Sequence, residues 1–534
     1  MIRPTLPPIE IMNSAVDRVL SLRCVDIMSP NYGSFDRDFW SYRTIRGFQS
    51  APYQHVMSGF AYLQQQLLDD DYRYGEIAEA ALSRWIENCN RNGSANEWYR
   101  HEQSFCATAM GLHAATETVL TLMENHGVRL SEHQLAALAR SERWLRDRSN
   151  PLAANQNIAS ATGRWMLGVL LADQPMQDSA ATSLSKVEQE FSRLGYLAEY
   201  GGFDIGYSLI SLDLLVAPHR AGCPDALSIA TRICGLLDCV VSKGGQFPFA
   251  LGSRGTHHPF YAGVHYFSSL SSEASQLLCK LASNHISEQL RQVSSYDDRY
   301  LATFGFSALA RTLSLRNTQS SSPTLMKSTR TLKSPLERIE VPGGTLFCNR
   351  HLGSGIQFLA DNHTSFVHLG YSVVVDDHRW CSLSAPADEA TECRHQFVMQ
   401  STRLPLQRFG VVFALLQAFC RIPPVASRVS LLARMKLGRP SKVLKLYFVR
   451  TLEISGSVIH VKDEICSDSE PETLVGAPLR AFPFHSPSQF FANQSDWDGS
   501  AIRTSQPFDF KKKAVIRWQL DTTAVPLTAK LSNS

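Results

Sequence analysis

The stretch Glu199–Leu215 reads EYGGFDIGYSLISLDLL, a glycine-rich aromatic turn followed by apolar residues at helical spacing. Similar short turns stand between other helical segments, at Asn31–Phe35, Asn92–Ser94, Asn150–Pro151 and Gly244–Phe247. They recur about every 45 to 60 residues, which is the length of two helices with their loops. Because an αα-hairpin cannot bury its apolar stripes alone, neighbouring hairpins stack side by side. The pattern predicts an (α/α) toroid of roughly five or six hairpins, with an irregular helical bundle as the alternative.

The helical pattern extends over residues 1–315 and then stops. Residues 316–335 are rich in Ser, Thr and Lys and predict a linker. From 336 to 534 the chain shows short β-branched runs without intervening helices, such as Val443–Leu452. We therefore expect a multidomain α+β chain, in which the N-terminal toroid is followed by a C-terminal antiparallel β-sandwich.

One segment of the β region departs from this pattern. Between Cys393 and Leu452 there are eleven Lys and Arg residues and no Asp or Glu. Within it, residues 403–437 predict two short amphipathic helices split by Pro423-Pro424. A basic amphipathic pair fits a membrane surface with anionic lipid. The alternative is a helical insertion that packs on the toroid. Peripheral membrane contact through Arg403–Leu437 is thus one of two open interpretations.

Composition narrows the class of protein. The chain has 534 residues, a net charge of +3, 44% hydrophobic and 19% charged residues, values typical of a globular protein with a large core. The charge does not indicate a nucleic-acid partner. The N-terminus shows no signal-peptide pattern, and the twelve scattered cysteines form no CxxC pair. We expect a cytoplasmic protein, or one on the inner membrane face, with reduced thiols.

In a toroid, loops at one rim line a common cleft, so polar loop clusters are candidate sites. The segment NEWYRHEQSF (96–105) offers Trp98 and Tyr99 as flat faces for sugar stacking, and Glu102 as a partner for hydroxyls. Its alternative interpretation is a helix start with Glu in the first turn. The run Asn155–Asn157 supplies amides that can bind a carboxylate or hydroxyl, or simply cap a helix.

Two further clusters carry proton-transfer chemistry. Tyr207 follows the turn at Gly201-Gly202 and is a plausible proton donor, unless it is packed and Asp204 only caps the next helix. The densest concentration of Arg, His and Tyr runs from Gly252 to Tyr266. In it, Arg254 can pair bidentately with a carboxylate, and one of two adjacent histidines can act as a base. The candidate residues of this loop are Arg254, His257, His258, Tyr261 and His265.

No P-loop, GxGxxG, GxSxG or HExxH motif is present, which argues against nucleotide-driven and simple serine-hydrolase chemistry. Acidic and histidine residues from Asp361 to His378 lie near predicted strands. They can ligate a structural metal, but a polar turn is the simpler interpretation, and we assign no metal ligand.

In its predicted architecture and in these loop residues, the chain resembles the heparinase II/III-type polysaccharide lyases. The resemblance is most specific at Asn157, Tyr207 and the Arg254–Tyr261 loop. The segments GSFDRDFW (33–40) and NEWYRHEQSF (96–105) also look like those of heparinase-like proteins encoded with bacterial surface-polysaccharide machinery, such as that for exopolysaccharide. The resemblance implies an acidic polysaccharide as partner and no cofactor. It implies catalytic roles for Asn157, Tyr207, Arg254, His258 and Tyr261, and substrate binding by Trp98, Tyr99, Glu102, His257 and His265.

The expected chemistry is β-elimination at a uronic acid. Arg254 and Asn157 stabilise the developing aci-carboxylate, a His or Tyr removes the C5 proton, and Tyr207 returns one to the departing oxygen. Two alternatives stay open. One is an (α/α) toroid glycoside hydrolase, which needs two carboxylates and has Glu97, Glu102, Glu199 and Asp204 as candidates. The other is a non-catalytic polysaccharide-binding or assembly protein at the inner membrane.

Overall fold

The structure, a computed structural model, describes most of the chain. The described residues are 9–36, 49–66, 72–97, 101–281, 296–315, 334–350, 354–362, 364–375, 378–384, 394–399, 443–467, 474–478, 508–510, 513–524 and 529–531, with four isolated positions between 418 and 428. Trp98 and Tyr99 lie outside these residues, as do nearly all of the predicted linker 316–335 and of the predicted amphipathic segment 403–437.

Helices occupy the described chain up to Ser314. They are α1 (Ile9–Leu20), α2 (Val56–Gln66), α3 (Arg73–Asn88), α4 (Phe105–His126), α5 (Glu132–Arg146), α6 (Ala154–Leu170), α7 (Gln174–Leu194), α8 (Ile205–Arg220), α9 (Pro224–Val240), α10 (Ala262–Phe267), α11 (Ser272–Leu281) and α12 (Phe306–Ser314). A single helical turn, Asp298–Tyr300, and a π-helical turn, Leu301–Gly305, lead into α12. One short antiparallel hairpin, β1 (Ala198–Glu199) and β2 (Gly202–Phe203), interrupts the helices.

Side chains adjacent to the helices explain where they begin and end. Ser131 and Gln134 form a capping box at the start of α5, and Asp173 caps α7 by accepting a hydrogen bond from Met176 N. Gly127 and Gly195 end α4 and α7 in the left-handed conformation, at φ of 64° and 84°. Such turns cost little at glycine, which has no Cβ. These capping residues and terminal glycines therefore produce separate helices rather than longer ones.

Six helices contact one another in a circuit. α2 packs on α4, α4 on α6, α6 on α8, α8 on α10, α10 on α12, and α12 returns to α2. The intervening helices α3, α7, α9 and α11 pack against members of this circuit. Glycine permits two of the close approaches: a Cβ on Gly163 of α6 would lie 2.8 Å from His113 N of α4, and one on Gly263 of α10 would lie 2.6 Å from Leu212 C of α8.

Thirteen described strands follow the helices. They are β3 (Glu337–Val341), β4 (Gly344–Asn349), β5 (Gly355–Ala360), β6 (Ser365–His368), β7 (Tyr371–Val375), β8 (His378–Ser384), β9 (Arg394–Met399), β10 (Val443–Ser455), β11 (Val458–Ser467), β12 (Leu474–Pro478), β13 (Phe508–Phe510), β14 (Lys513–Asp521) and β15 (Ala529–Leu531). They form a four-stranded sheet, β3-β4-β5-β6, and a nine-stranded sheet, β13-β12-β7-β8-β9-β10-β11-β14-β15. Neighbouring strands in both sheets are antiparallel.

The strands β4 and β5 of the small sheet are buried on both faces. Leu346 and Phe358 pack with Val461 and Trp518 of the large sheet in one apolar cluster. Phe347, the next residue along β4, belongs instead to the core of the helical part. Successive side chains of a strand point to opposite faces, so β4 contributes to both cores. The helical part and the large sheet therefore contact opposite faces of the small sheet.

These observations confirm a helical part followed by antiparallel strands. The hairpin β1–β2 was not predicted, and neither were the strands β6, β8, β9, β12 and β15. The domain boundaries and the toroid-plus-sandwich description stay predictions. Within the described part of the chain, no helix combines the length and apolar character that crossing a membrane requires.

Candidate functional site

Several loops meet at the N-terminal ends of the circuit helices α4, α6 and α8. We call this region the rim; it comprises residues 95–97 and 101–104, 150–156, 199–207, 252–258 and 296–300. Its parts are joined across long sequence separations. Arg299 Nη2 lies 2.7 Å from Glu97 Oε1, Gln156 Nε2 donates to the Tyr200 hydroxyl at 3.3 Å, and Tyr300 hydroxyl lies 3.3 Å from His258 Nδ1.

Arg254 carries a cation of the rim that no acid among the described residues neutralises. Its guanidinium lies over the Tyr200 ring, 4.4 Å from the ring centre. Its Nε is buried without a hydrogen-bond partner, and among the described residues no carboxylate lies within ion-pair distance of the guanidinium. A partly buried cation without a counter-charge attracts an anion strongly, since solvent screens it only weakly there. Arg254 is therefore suited to bind a carboxylate.

Tyr207 lies in the first turn of α8 and is partly exposed. Its hydroxyl makes no hydrogen bond with any described residue, whereas its backbone N–H donates to Asp204 Oδ1 at 3.0 Å. Burial raises the pKa of the Tyr207 phenol, and the positive charge of Arg254 opposes this shift only in part. The phenol is thus neutral near pH 7 and can donate a proton.

Asp204 fixes the relative positions of Tyr207 and Arg254. It is fully buried, and its carboxylate accepts hydrogen bonds from the backbone N–H groups of Tyr207, Arg254 and Thr256. Gly252 makes this packing feasible, because a Cβ there would lie 2.6 Å from Asp204 Oδ2. Asp204 therefore caps α8, as its alternative interpretation proposed. It also holds the Arg254 loop through the backbone N–H groups of Arg254 and Thr256.

Glu199 and Asn155 contribute further buried polar atoms to the rim. Glu199 Oε1 accepts a hydrogen bond from Asn155 N at 2.7 Å. Glu199 Oε2 and Asn155 Oδ1 are buried without a hydrogen-bond partner among the described residues. Burial raises the pKa of Glu199 well above its usual value. The rim therefore holds a carboxyl group that is biased toward its protonated form.

Asn157, the predicted neutraliser, has its amide engaged with the loop before α6. Its Nδ2 donates to Asn150 O at 2.8 Å, and its Oδ1 accepts from Asn150 N at 2.8 Å. In this state the amide holds the loop 150–153 closed. Asn155, two residues earlier, is the amide with an unpartnered oxygen.

The histidines of the Arg254 loop differ in accessibility. His257 is partly exposed, and its ring packs edge-on against Phe249 at 4.5 Å. His258 is 1% exposed, with Nε2 3.0 Å from Asp213 Oδ2. Tyr261 is 1% exposed within the helical core. His265 is 8% exposed, and burial lowers its pKa to about 4. Because His258 and Tyr261 are buried, a polymer cannot touch them in this state. Their direct catalytic roles stay untested predictions.

The acidic residues near α4 are also committed to internal contacts. Glu102 is 2% exposed, and its Oε2 accepts a hydrogen bond from Glu97 N at 2.8 Å. Glu97 pairs with Arg299 and accepts from the Ser104 hydroxyl at 3.1 Å. Both therefore stabilise the rim, and neither presents a free carboxylate to a ligand.

Sequence reasoning missed Asp213, Tyr200 and Tyr300. Asp213 had a visible signal, because it is an acid in the otherwise apolar run Leu209–Leu215. Tyr200 and Tyr300 had none beyond being aromatic residues near loops. Among the described residues, no group of three or more His, Cys, Asp or Glu side chains is arranged to hold a metal ion.

Solved structures that are similar to this chain include heparinase III and a glycoside hydrolase. No family model and no curated protein matches the sequence. The crystal structure of heparinase III superimposes with a TM-score of 0.46 and 10% identity, over 90% of this chain and 74% of that one. A GH127 β-L-arabinofuranosidase from Geobacillus stearothermophilus T6 superimposes with a TM-score of 0.36 and 9% identity, over 94% of this chain and 95% of that one.

Proposed function

We propose that the chain is a polysaccharide lyase that cleaves an acidic polysaccharide at a uronic acid by β-elimination, on a helical toroid that carries a β-sandwich. The observation that supports it best is that Asp204 holds the backbone N–H groups of both Arg254 and Tyr207. Among the described residues, no acid neutralises the Arg254 guanidinium and no group hydrogen-bonds to the Tyr207 hydroxyl. One group binds an anion and its neighbour exchanges a proton, and β-elimination next to a carboxylate needs both.

Arg254 would bind the uronate carboxylate. The C5 proton of a uronic acid is poorly acidic while the neighbouring carboxylate keeps its full charge. A guanidinium can pair with both carboxylate oxygens, and it stabilises the charge that develops as the proton leaves. The protonated form favoured at Glu199 would keep the rim from repelling the incoming carboxylate.

Tyr207 would exchange protons with the sugar. Its phenol gives a proton to the departing C4 oxygen, while the C5 proton goes to a base of the rim. The candidates for that base are His257, which is partly exposed, and Tyr207 itself after deprotonation. The C5–H and C4–O bonds break and a C4–C5 double bond forms, so no cofactor is required.

The proposed part of Asn157 is to hold the loop 150–153 in place, since both ends of its amide are used there. A hydrolytic alternative requires two carboxyl groups facing the sugar. Glu97 is paired with Arg299, and Glu102, Glu199 and Asp204 are buried. The acids that a hydrolase would need are therefore occupied or inaccessible in this state.

The test is incubation with a panel of acidic polysaccharides and one neutral polymer, read by ultraviolet absorbance and by mass. Lyase activity produces an absorbing double bond on the uronate polymers alone, and Tyr207→Phe abolishes it. New reducing ends without that absorbance would indicate a hydrolase. Retention of the polymer without any new ends would indicate a binding protein.

A further inference from the structure

Tyr200 occupies a position of the hairpin β1–β2 that rarely suits a tyrosine. With Gly201 it forms the two-residue turn between the strands, and the two residues have positive φ angles, of 50° and 91°. Such turns favour Gly, Asn or Asp, because a bulky side chain makes the left-handed conformation costly. Conformations of this kind persist where surrounding contacts maintain them. The place of the Tyr200 ring is therefore set by its contacts rather than by its backbone preference.

Contacts with the loop before α6 hold Tyr200 in this conformation. Its backbone N–H donates to Leu152 O at 2.6 Å, and its hydroxyl accepts a hydrogen bond from Gln156 Nε2 at 3.3 Å. Gln156 is itself buried, and its Oε1 accepts a hydrogen bond from Asn150 Nδ2 at 2.8 Å. The backbone and the hydroxyl of Tyr200 are thus both fixed to the same loop.

Three amide side chains hold that loop in turn. Besides donating to Gln156, the Asn150 side chain accepts a hydrogen bond from Leu152 N through Oδ1, at 3.0 Å. The backbone N–H and carbonyl of Asn150 pair with the two ends of the Asn157 amide, at 2.8 Å each. Every polar group of Asn150 is therefore used, which makes the loop rigid. We call Asn150, Gln156 and Asn157 the amide network.

The Tyr200 ring supports the Arg254 guanidinium without neutralising it. The guanidinium lies over the ring, 4.4 Å from its centre. An aromatic face attracts a cation through its quadrupole but carries no net charge, so Arg254 keeps the positive charge that a carboxylate in the same place would cancel. Burial raises the pKa of the Tyr200 phenol to about 12, so the ring is neutral near pH 7. Stacking on an aromatic face also leaves the edge of a guanidinium available for a carboxylate.

We propose that Tyr200 and the amide network position the Arg254 guanidinium for the uronate carboxylate. The inference rests on the proposed function and gives Asn157 an indirect part in it. Asn157 holds the loop that holds Tyr200, and the Tyr200 ring holds the guanidinium. Tyr200 and the amide network are thus positioning residues, which act on the substrate through Arg254.

Proton–nitrogen NMR of the arginine-labelled chain tests the positioning without any substrate. A proton over an aromatic face is shifted upfield by the ring current, and Arg254→Gln identifies the Nε–H signal by removing it. We expect an upfield signal in the wild type and in Tyr200→Phe, which keeps the ring and the bond to Leu152 O. The signal should return to the ordinary arginine range in Tyr200→Leu and in Asn157→Leu.

Tyr196→Leu is the matched control. Tyr196 is partly exposed like Tyr200 and lies four residues before it, but its ring packs edge-on against Phe203 rather than under Arg254. Its replacement should leave the Arg254 signal upfield. A wild-type signal in the ordinary arginine range would overturn the support of Arg254 by the Tyr200 ring.

Kinetics on the uronate polymer supply the second measurement. Tyr200→Leu and Asn157→Leu should lower kcat/KM by roughly 10- to 100-fold, because misplacing a catalytic group by about 1 Å has an effect of this size, while Tyr200→Phe and Tyr196→Leu stay within about threefold. Lost activity in Asn157→Leu with an unmoved Arg254 signal would place Asn157 at the substrate and overturn its indirect role. The expected NMR pattern without cleavage of any uronate polymer would overturn the proposed function and leave the positioning of Arg254 intact.

Discussion

Four described histidines are buried in a neutral form, and this predicts a steep loss of stability in mild acid. Burial lowers the pKa of His55 and His368 to about 3, and that of His113 and His265 to about 4. The unfolded chain binds protons at these histidines below pH 6.5, whereas the folded chain does not. Their contribution to stability is therefore complete above pH 6.5 and is lost as pH falls toward 4 and 3.

His113 is suited to a quantitative test. A shift from 6.5 to about 4 corresponds to about 3 kcal/mol lost by pH 4, and to a slope of about 1.4 kcal/mol per pH unit between pH 6 and 4.5. His113→Asn keeps an amide where Nδ1 meets the Thr162 hydroxyl at 2.8 Å, but it removes the titrating ring. We expect the slope of unfolding free energy against pH to fall by about 1.4 kcal/mol per unit.

The assay is urea unfolding at half-unit pH steps, with stability compared as a slope rather than at one pH. His133→Asn is the control, because His133 is exposed on α5, and its slope should equal that of the wild type. An unchanged slope in His113→Asn would refute the assignment of a buried, neutral His113.

The remaining predictions concern packing, the rim and the amphipathic segment. Glu117→Gln leaves Arg311 buried without its counter-charge and should cost about 3 to 5 kcal/mol, measured by urea unfolding, with exposed Glu190→Gln as control. Asp204→Ala should release the Arg254 loop, and limited proteolysis should then cut near Arg254 faster than in Asp178→Ala. Deletion of residues 403–437 should abolish binding to anionic vesicles, and undiminished binding would exclude that segment as the contact.

The sequence predicts the helical part because its helices are long and are separated by strong stop signals. Ser131, Asp173 and Gly195 act within a few residues of the helix end that they define, so local chemistry suffices. The strand β12 was missed because it is stabilised by pairing with β7, a segment far from it in the chain.

The candidate site likewise has residues that the sequence indicates and contacts that it does not. Arg254 and Tyr207 could be named as candidates from the sequence, since a polar loop and a glycine turn mark them. The residue that fixes both of them could not be identified as such, because Asp204 meets the Arg254 loop 50 residues away in the chain. Sequence spacing holds no information about contacts made by helices that meet only in the folded circuit.

The proposal depends most on Arg254 binding a uronate carboxylate, and a matched pair of substrates tests this directly. One polymer is a uronate polysaccharide, and the other is the same polymer with its carboxylates reduced to primary alcohols. The wild type should produce the ultraviolet-absorbing double bond from the first polymer alone, and Arg254→Gln should lose that activity, whereas Arg193→Gln, on an exposed arginine, retains it. Chain cleavage of the reduced polymer at an equal rate, or full activity in Arg254→Gln, would contradict it.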